Sequence, residues 1–321
     1  MMIKGLVSTI IPVFNRPDMV VEAINSVLAQ TYRPIEIIVV DDGSTDNTLA
    51  VLQSLAETNA QVKVFSQANS GPGAARELGR QKAQGEYVQY LDSDDLLLSE
   101  KFSLQVRALN EKADCCIAYG KTESTLIGEP LKGIAMRLTG VQLDAMFPEF
   151  LRDRWWGTST PLYRASVLDE AGAWLTTLNE EDWEYDCRIA STGGKLVYVN
   201  EFVSHARRHE EHLSAQGTTD PVKLKHRCIA QQKIYQHARS YMELEDRATE
   251  INSADWTFYS KAVFLLARQC AAANLPEQAL QMIELSETAN GGRNNKHRFF
   301  RFLAMTLGWR NASKLINLVG K

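Results

Sequence analysis

The sequence is short of cysteine, of long apolar runs and of net charge, and each shortage removes a class of protein. Only five cysteines occur in 321 residues: Cys115, Cys116, Cys187, Cys228 and Cys270. Their number is odd and no two form a C-x-x-C pair. That argues against a disulfide framework and a structural zinc site, and fits a reducing compartment. No apolar run approaches the ~18–20 residues that span a bilayer. A soluble, cytoplasmic chain is therefore expected, peripheral to a membrane at most. The N-terminus enters directly into a strand pattern, so no signal peptide is expected. A net charge of −4 offers no bulk attraction for nucleic acid. Internal repeats and low-complexity tracts are lacking too. What is left is a folded chain of 45% hydrophobic content, long enough for one large domain plus an appendage, or for two domains.

The N-terminal half alternates between two periodicities. Leu6 to Phe14 is a near-continuous apolar run, as in a central parallel strand. Pro17 to Gln30 carries helical spacing at Val20, Val21, Ile24, Val27 and Leu28. Ile35 to Val40 is a second apolar run, ending in Asp41 and Asp42. Gly43 to Asp46 makes a turn with N-cap chemistry for a helix through about Glu57. Val62 to Phe65 is a third strand, Asn69 to Gly73 a loop, Ala74 to Ala83 a helix, and Glu86 to Leu91 a fourth strand. This alternation predicts an α/β fold with a mostly parallel sheet flanked by helices. The fourth strand runs into Asp92-Ser93-Asp94-Asp95. Crowded carboxylates at a strand end repel one another, and a divalent cation bridging to a phosphate offsets that repulsion. The carboxyl ends of strands in an open α/β sheet are also where ligands bind.

Four segments then occur in order: Thr9-Ile10-Ile11-Pro12-Val13-Phe14-Asn15-Arg16, Val39 to Asp46, Asn69 to Arg76, and Leu91 to Asp95. Together they resemble the family-2 glycosyltransferases of GT-A, Rossmann-like fold, over roughly residues 5 to 215. The resemblance implies a nucleotide-sugar donor, a divalent metal and inversion at the anomeric carbon. Asp42 would read the base of a UDP-sugar, because a carboxylate accepts the ring N–H of uracil, which cytosine lacks. Its plain alternative is a turn cap for Gly43-Ser44. Pro12 and Phe14 would give the base a flat apolar edge, or simply pack at the strand end. Arg76 would contact base or phosphate, or lie on a helix surface. Asp94 would ligate Mn²⁺ or Mg²⁺, and Asp92 would reach the ribose or a metal-bound water. Asp95 would support the ligand or cap the next helix. The glycines of 69–73 are no P-loop, since the lysine and the spacing are wrong.

A second acidic group, Asn179-Glu180-Glu181-Asp182-Trp183-Glu184-Tyr185-Asp186-Cys187-Arg188, opens a helix. Acids at a helix N-terminus suit the macrodipole. The resemblance instead makes Asp182 the general base that takes the acceptor hydroxyl's proton, with Glu181 as the alternative. Arg207 and His209, within Arg207 to Ser214, match the family's Arg-x-His segment, which faces the diphosphate or joins the metal. Trp155 and Trp156 would floor a sugar-acceptor subsite, or belong to the core. Residues 121–140 read as a crossover suited to a lid.

From about Pro221 the pattern is wholly helical, with Trp256 to Ala273 and Glu277 to Ser286 as a hairpin. Residues 1–215 are expected as the catalytic domain, with a nucleotide-sugar half to about 120 and an acceptor half beyond it. Residues 216–321 follow as a helical extension. Its last part, 291–321, has seven basic residues, no acid and interleaved aromatics, as for peripheral contact with an anionic membrane. The expected activity is transfer of a sugar from a nucleotide-diphosphate carrier to a glycan or lipid-linked glycan, as in polysaccharide biosynthesis. The rivals are a nucleotidyltransferase and a non-catalytic binding module. The first is disfavoured because Pro12 to Arg16 replaces the glycine-rich loop it needs.

Overall fold

The computed structural model describes residues 2–209, 219–245 and 247–319. In chain order its elements begin with β1 (Ile3–Val13), α1 (Pro17–Leu28), β2 (Ile35–Asp41), α2 (Thr48–Thr58), β3 (Val62–Ser66), α3 (Pro72–Lys82) and β4 (Gly85–Tyr90). Then come β5 (Leu96–Leu97), α4 (Lys101–Glu111), β6 (Cys115–Leu126), α5 (Glu149–Arg152), β7 (Leu162–Arg164), α6 (Ala165–Ala171), α7 (Glu181–Ser191) and β8 (Lys195–Arg208). Five helices close the chain: α8 (Pro221–Met242), α9 (Ser253–Ala272), α10 (Pro276–Ala289), α11 (Asn295–Leu307) and α12 (Trp309–Val319). The chain divides into two units. Residues 1–146, 154–176 and 192–210 form the first; 147–153, 177–191 and 211–321 form the second.

The first unit holds one eight-stranded sheet, ordered β3-β2-β1-β4-β7-β6-β8-β5. Strands β3, β2, β1 and β4 are parallel, as the near-continuous apolar runs of β1 and β2 predict. Strand β7 pairs antiparallel with both β4 and β6, β6 is parallel to β8, and β5 is antiparallel to β8, so the sheet is mixed. On α1, Val20, Ala23, Ile24 and Val27 are buried at the i, i+3, i+4, i+7 spacing that gives a helix one apolar face. The parallel register sets Val13 beside Asp41 and Ile10 beside Tyr90. The segments leaving β1, β2 and β4 therefore emerge at one edge of the sheet. Gly43 is needed there: its φ is +75°, and a Cβ on it would sit 2.7 Å from the Asn69 nitrogen.

Residues 121–126, expected in a crossover, instead complete β6 against β8. The return that follows is held by Glu123, whose carboxylate accepts from the backbone N–H of Lys132 and, at 2.9 Å, of Gly133.

The second unit is helical. Asp220 caps α8 by accepting from the N–H groups of Val222 and Lys223 at 2.7 and 3.2 Å, and Asn252 with Asp255 forms a capping box on α9. The α9–α10 hairpin breaks at Asn274, whose φ is +59°, just before Pro276. Buried Val263, Leu266 and Cys270 of α9, Met282 and Ile283 of α10, and Phe300 and Leu303 of α11 belong to the apolar interior. Helix α7 falls in this unit rather than with the sheet, so the division differs from the expected boundary near residue 215. The reason is chemical: α7 and the residue before it are tied to α8 by charged contacts given below.

Candidate active site

The acids after β4 are met by basic side chains from distant parts of the chain. Asp94 Oδ2 accepts from Arg16 Nη1 at 2.6 Å, and His209 Nε2 lies 2.8 Å from the same oxygen. Arg76 Nη2 donates to Asp92 at 2.8 Å, and its guanidinium lies 4.9 Å from the centre of the Trp174 ring. Arg207 donates from Nε to the Asp94 carbonyl at 2.5 Å, from its backbone N–H to Asp95 at 3.1 Å, and from Nη1 to Glu22. Burial pushes the Asp94 carboxyl up, but Arg16 and His209 more than offset it, so the group is held below the ordinary carboxylate range. Asp95 goes the other way. Complete burial, then the charges of Asp94 and Asp92, raise it well above that range.

These contacts sort the predicted residues. Asp94 and His209 come together, as do Asp92 and Arg76. Asp95 caps no helix: Ser159 donates to it at 2.7 Å, and with the Arg207 N–H it is a buried brace. Arg76 is no surface arginine, being 4% exposed. Asp42 is not the turn cap. That part falls to Asp41, which accepts from the Ser44 N–H at 3.3 Å. Asp42 instead holds the 67–71 loop, accepting from Gln67 Nε2 at 2.7 Å, Ser70 N–H at 2.9 Å and Gly71 N–H at 2.8 Å. Only the last of these reaches Oδ2, which keeps one lone pair for a further donor. Pro12 is buried within β1, while Phe14 is 43% exposed beyond its end.

Trp155 and Trp156 correct the expectation of a sugar floor. Each is 1% exposed, and their rings pack on Tyr119 at centroid distances of 5.1 and 5.6 Å. A ring enclosed in this way gives its apolar area to the core rather than to a ligand. Ser214 lies outside the described residues. Sequence reasoning left Arg16, Glu22 and Ser159 without roles. For Arg16 there was a signal, a cation placed directly after the first strand's carboxyl end; Glu22 and Ser159 had none.

The acids of the second unit are sorted just as sharply. Glu180 accepts from Arg227 Nε at 2.6 Å and Gln231 Nε2 at 2.7 Å, both on α8. Glu184, 1% exposed, accepts from Arg188 Nη2 at 2.5 Å and lies 2.8 Å from His237 Nε2. Burial raises its carboxyl, and the bonds to His237 and Arg188 lower it further than that, leaving it below the ordinary glutamate value. Glu181 and Asp186 are buried at 6% and 1%. Asp182 keeps an intermediate exposure, and its Oδ1 accepts from the Trp183 N–H at 2.8 Å.

The donor set fits a divalent cation. A carboxylate oxygen and an imidazole nitrogen already converge within 2.8 Å at Asp94 and His209. Among the described residues no group of three His, Cys, Asp or Glu could hold a metal. A cation here would thus have two protein donors and draw the rest of its shell from phosphate and water, as Mg²⁺-type ions commonly do.

A sheet of this order, with acids where β4 leaves it, defines a GT-A-type α/β protein. The comparisons agree. Residues 8–165 match the family model described as glycosyl transferase family 2. An uncharacterized glycosyltransferase of Nostoc sp., alr2836, is 31% identical over 232 residues, which are 66% of this chain and 68% of that protein. One of Rickettsia felis is 38% identical over 146 residues, 46% of this chain, and there the chain spans only 24% of the relative's length. The structure of S. aureus TarS residues 1-349 in complex with UDP-GlcNAc superposes with a TM-score of 0.65 at 18% identity, covering 98% of this chain and 92% of that one. The mannosyltransferase PcManGT from Pyrobaculum calidifontis, in complex with GDP-Man and Mn²⁺, gives a TM-score of 0.56 at 17% identity, with 98% and 87% covered. The chain belongs to glycosyl transferase family 2.

Proposed function

We propose that the protein transfers a sugar from a nucleoside-diphosphate sugar, with UDP as the carrier, to a hydroxyl of a glycan or lipid-linked glycan, with inversion. The observation that carries this reading is the convergence of His209 and Arg16 on one carboxylate oxygen of Asp94 at the carboxyl edge of the sheet. Asp94 and His209 would hold Mn²⁺ or Mg²⁺, and a bound cation would stabilise the negative charge of the departing nucleoside diphosphate. Asp92, fixed by Arg76, orients the donor's ribose. Arg207 braces the backbone of Asp94, so that the carboxylate is presented without reorganisation. The open lone pair of Asp42 Oδ2 is suited to a uracil N–H, with Phe14 beside the base.

Asp182 is the general base, holding the acceptor's proton as its oxygen attacks the anomeric carbon. Inversion follows from a single displacement, because the reading needs no separate nucleophile. Family membership weighs against both a nucleotidyltransferase and a mere binding module. Support for the donor class comes from the solved neighbours, one holding UDP-GlcNAc and another GDP-Man. A panel of UDP-, GDP- and ADP-sugars, each supplied with Mn²⁺, tests the reading by the nucleoside diphosphate released. UDP release is expected. Release of GDP alone would overturn the role given to Asp42, and release of pyrophosphate would overturn glycosyl transfer. No described helix is long and apolar enough to cross a membrane, and a peripheral position at a cytoplasmic membrane face belongs to the same reading.

A further inference from the structure

Exposed apolar and unpaired basic side chains coincide on the last two helices. Helix α11 buries His297, Phe300, Leu303 and Ala304. It turns Phe299, Phe302 and Met305 outward, at 53%, 61% and 87% exposure. Side chains three apart lie along one helix face, so these three form a continuous apolar stripe. Lys296 and Arg298 share the helix with them, and Arg310 and Lys314 follow on α12. All four are exposed, and none has an ion-pair partner among the described residues. Arg293 and Arg301 differ, since Glu287 holds both at 3.1 Å.

Charge is segregated on the larger scale as well. Residues 291–321 carry +7 with no acid, against −4 for the whole chain, which leaves −11 on the rest. An apolar stripe with unpaired cations on its own helix and the next suits a surface that is apolar beneath and anionic above. A second copy of the same face would set like charge against like.

We propose that this face lies on an anionic phospholipid surface. Phe299, Phe302 and Met305 enter the acyl boundary, while Lys296, Arg298, Arg310 and Lys314 sit among the phosphates. The contact would hold the enzyme where a lipid-linked acceptor is confined to two dimensions. The face rests on its own residues and not on those of the sheet edge. Failure of the transfer reading would leave it standing, and the reverse also holds.

The test is cosedimentation of the full chain with vesicles of equimolar phosphatidylglycerol and phosphatidylcholine, and separately with phosphatidylcholine alone. Binding is expected to the first and not the second, and should fall as salt is raised. Each cation near such a surface strengthens binding about fivefold, so K296Q/R298Q/R310Q/K314Q should weaken it by roughly several hundredfold. F302S/M305S, at exposed positions where folding is not at stake, should lower the part of the binding that survives salt. Circular dichroism melting confirms that both variants fold.

Equal binding to both vesicle types, or an unchanged partition in the four-cation variant, overturns the proposal. So does a dimer in analytical ultracentrifugation that F302S/M305S dissolves while vesicles bind nothing, which would assign the face to a second copy. Retention on polyglutamate that is as strong as on vesicles and indifferent to F302S/M305S would also overturn it, in favour of an acidic protein partner.

Discussion

The chain carries two acidic clusters, one after β4 and one at the start of α7, and they are balanced from opposite directions. Asp92, Asp94 and Asp95 are met by Arg16, Arg76, Arg207 and His209, which come from three separate stretches of sequence. Glu180 and Glu184 are met by Arg227 and His237 of a single helix, with Arg188 one turn along α7 itself. In both clusters some of the carboxylates serve the fold. Asp95 is a buried brace, and Glu180 and Glu184 anchor a helix. What differs is the setting of the acid that the proposed function assigns to chemistry. Asp94 is held below the ordinary carboxylate range beside Arg16 and His209, where the proposed reading puts a metal ligand, whereas Asp182, the proposed base, accepts from the Trp183 N–H at the start of α7. A run of acids is therefore not itself a site.

The sharpest way to break this comparison is to neutralise the acid assigned to chemistry in the second cluster. Asp182→Asn should lower the transfer rate by roughly 10²–10⁴-fold with an unchanged melting temperature. Glu181→Gln, buried at 6%, should cost only a small part of that. If the two changes exchange effects, Glu181 is the base. Next in size come the acids assigned to the fold. Glu184→Ala leaves Arg188 and His237 facing a buried void and should cost about 3–5 kcal/mol in urea unfolding. Asp95→Ala strips the Ser159 hydroxyl and the Arg207 N–H of their acceptor and should cost about 1–3 kcal/mol. Stability left intact by either change would dissolve the distinction between brace and site.

The smallest expected effect is on pH dependence. The folded carboxyl of Glu184 lies below its ordinary value, so its ionised form is favoured by folding. Its contribution is fully present above the ordinary glutamate range and is lost as pH falls through and below it. The melting temperature should therefore drop in acid, and Glu184→Gln should flatten that drop. A variant as steep in acid as the parent would remove Glu184 from the account.

Much of the first unit was legible because its signals are local. The run from Leu6 to Phe14 became β1, Pro17 to Gln30 became α1, and each predicted parallel strand appears within a few residues of its expected ends. Buried parallel strands and amphipathic helices write their periodicity into contiguous sequence. The return through β7, β6 and β8 was not legible. A three-residue strand such as β7 has no period to read, and the pairing of residues 121–126 with β8 is set by a partner some 80 positions away. The site divided along the same line. Asp92, Asp94 and Asp182 stood out through their neighbours in sequence, whereas Arg16, Glu22 and Ser159 matter through contacts across 78, 185 and 64 positions. Trp155 and Trp156 misled because two aromatic residues before a glycine look alike whether they line a cleft or a core. Only burial separates the two cases.

The central claim, a cation-assisted grip on the donor's diphosphate by Asp94 and His209, is tested most directly by Mn²⁺ binding. Electron paramagnetic resonance would follow free Mn²⁺ as UDP is added to the protein and to its Asp94→Asn variant. The account predicts that UDP draws Mn²⁺ into a bound form on the parent chain and fails to do so on the variant. Equal uptake by both proteins would contradict it.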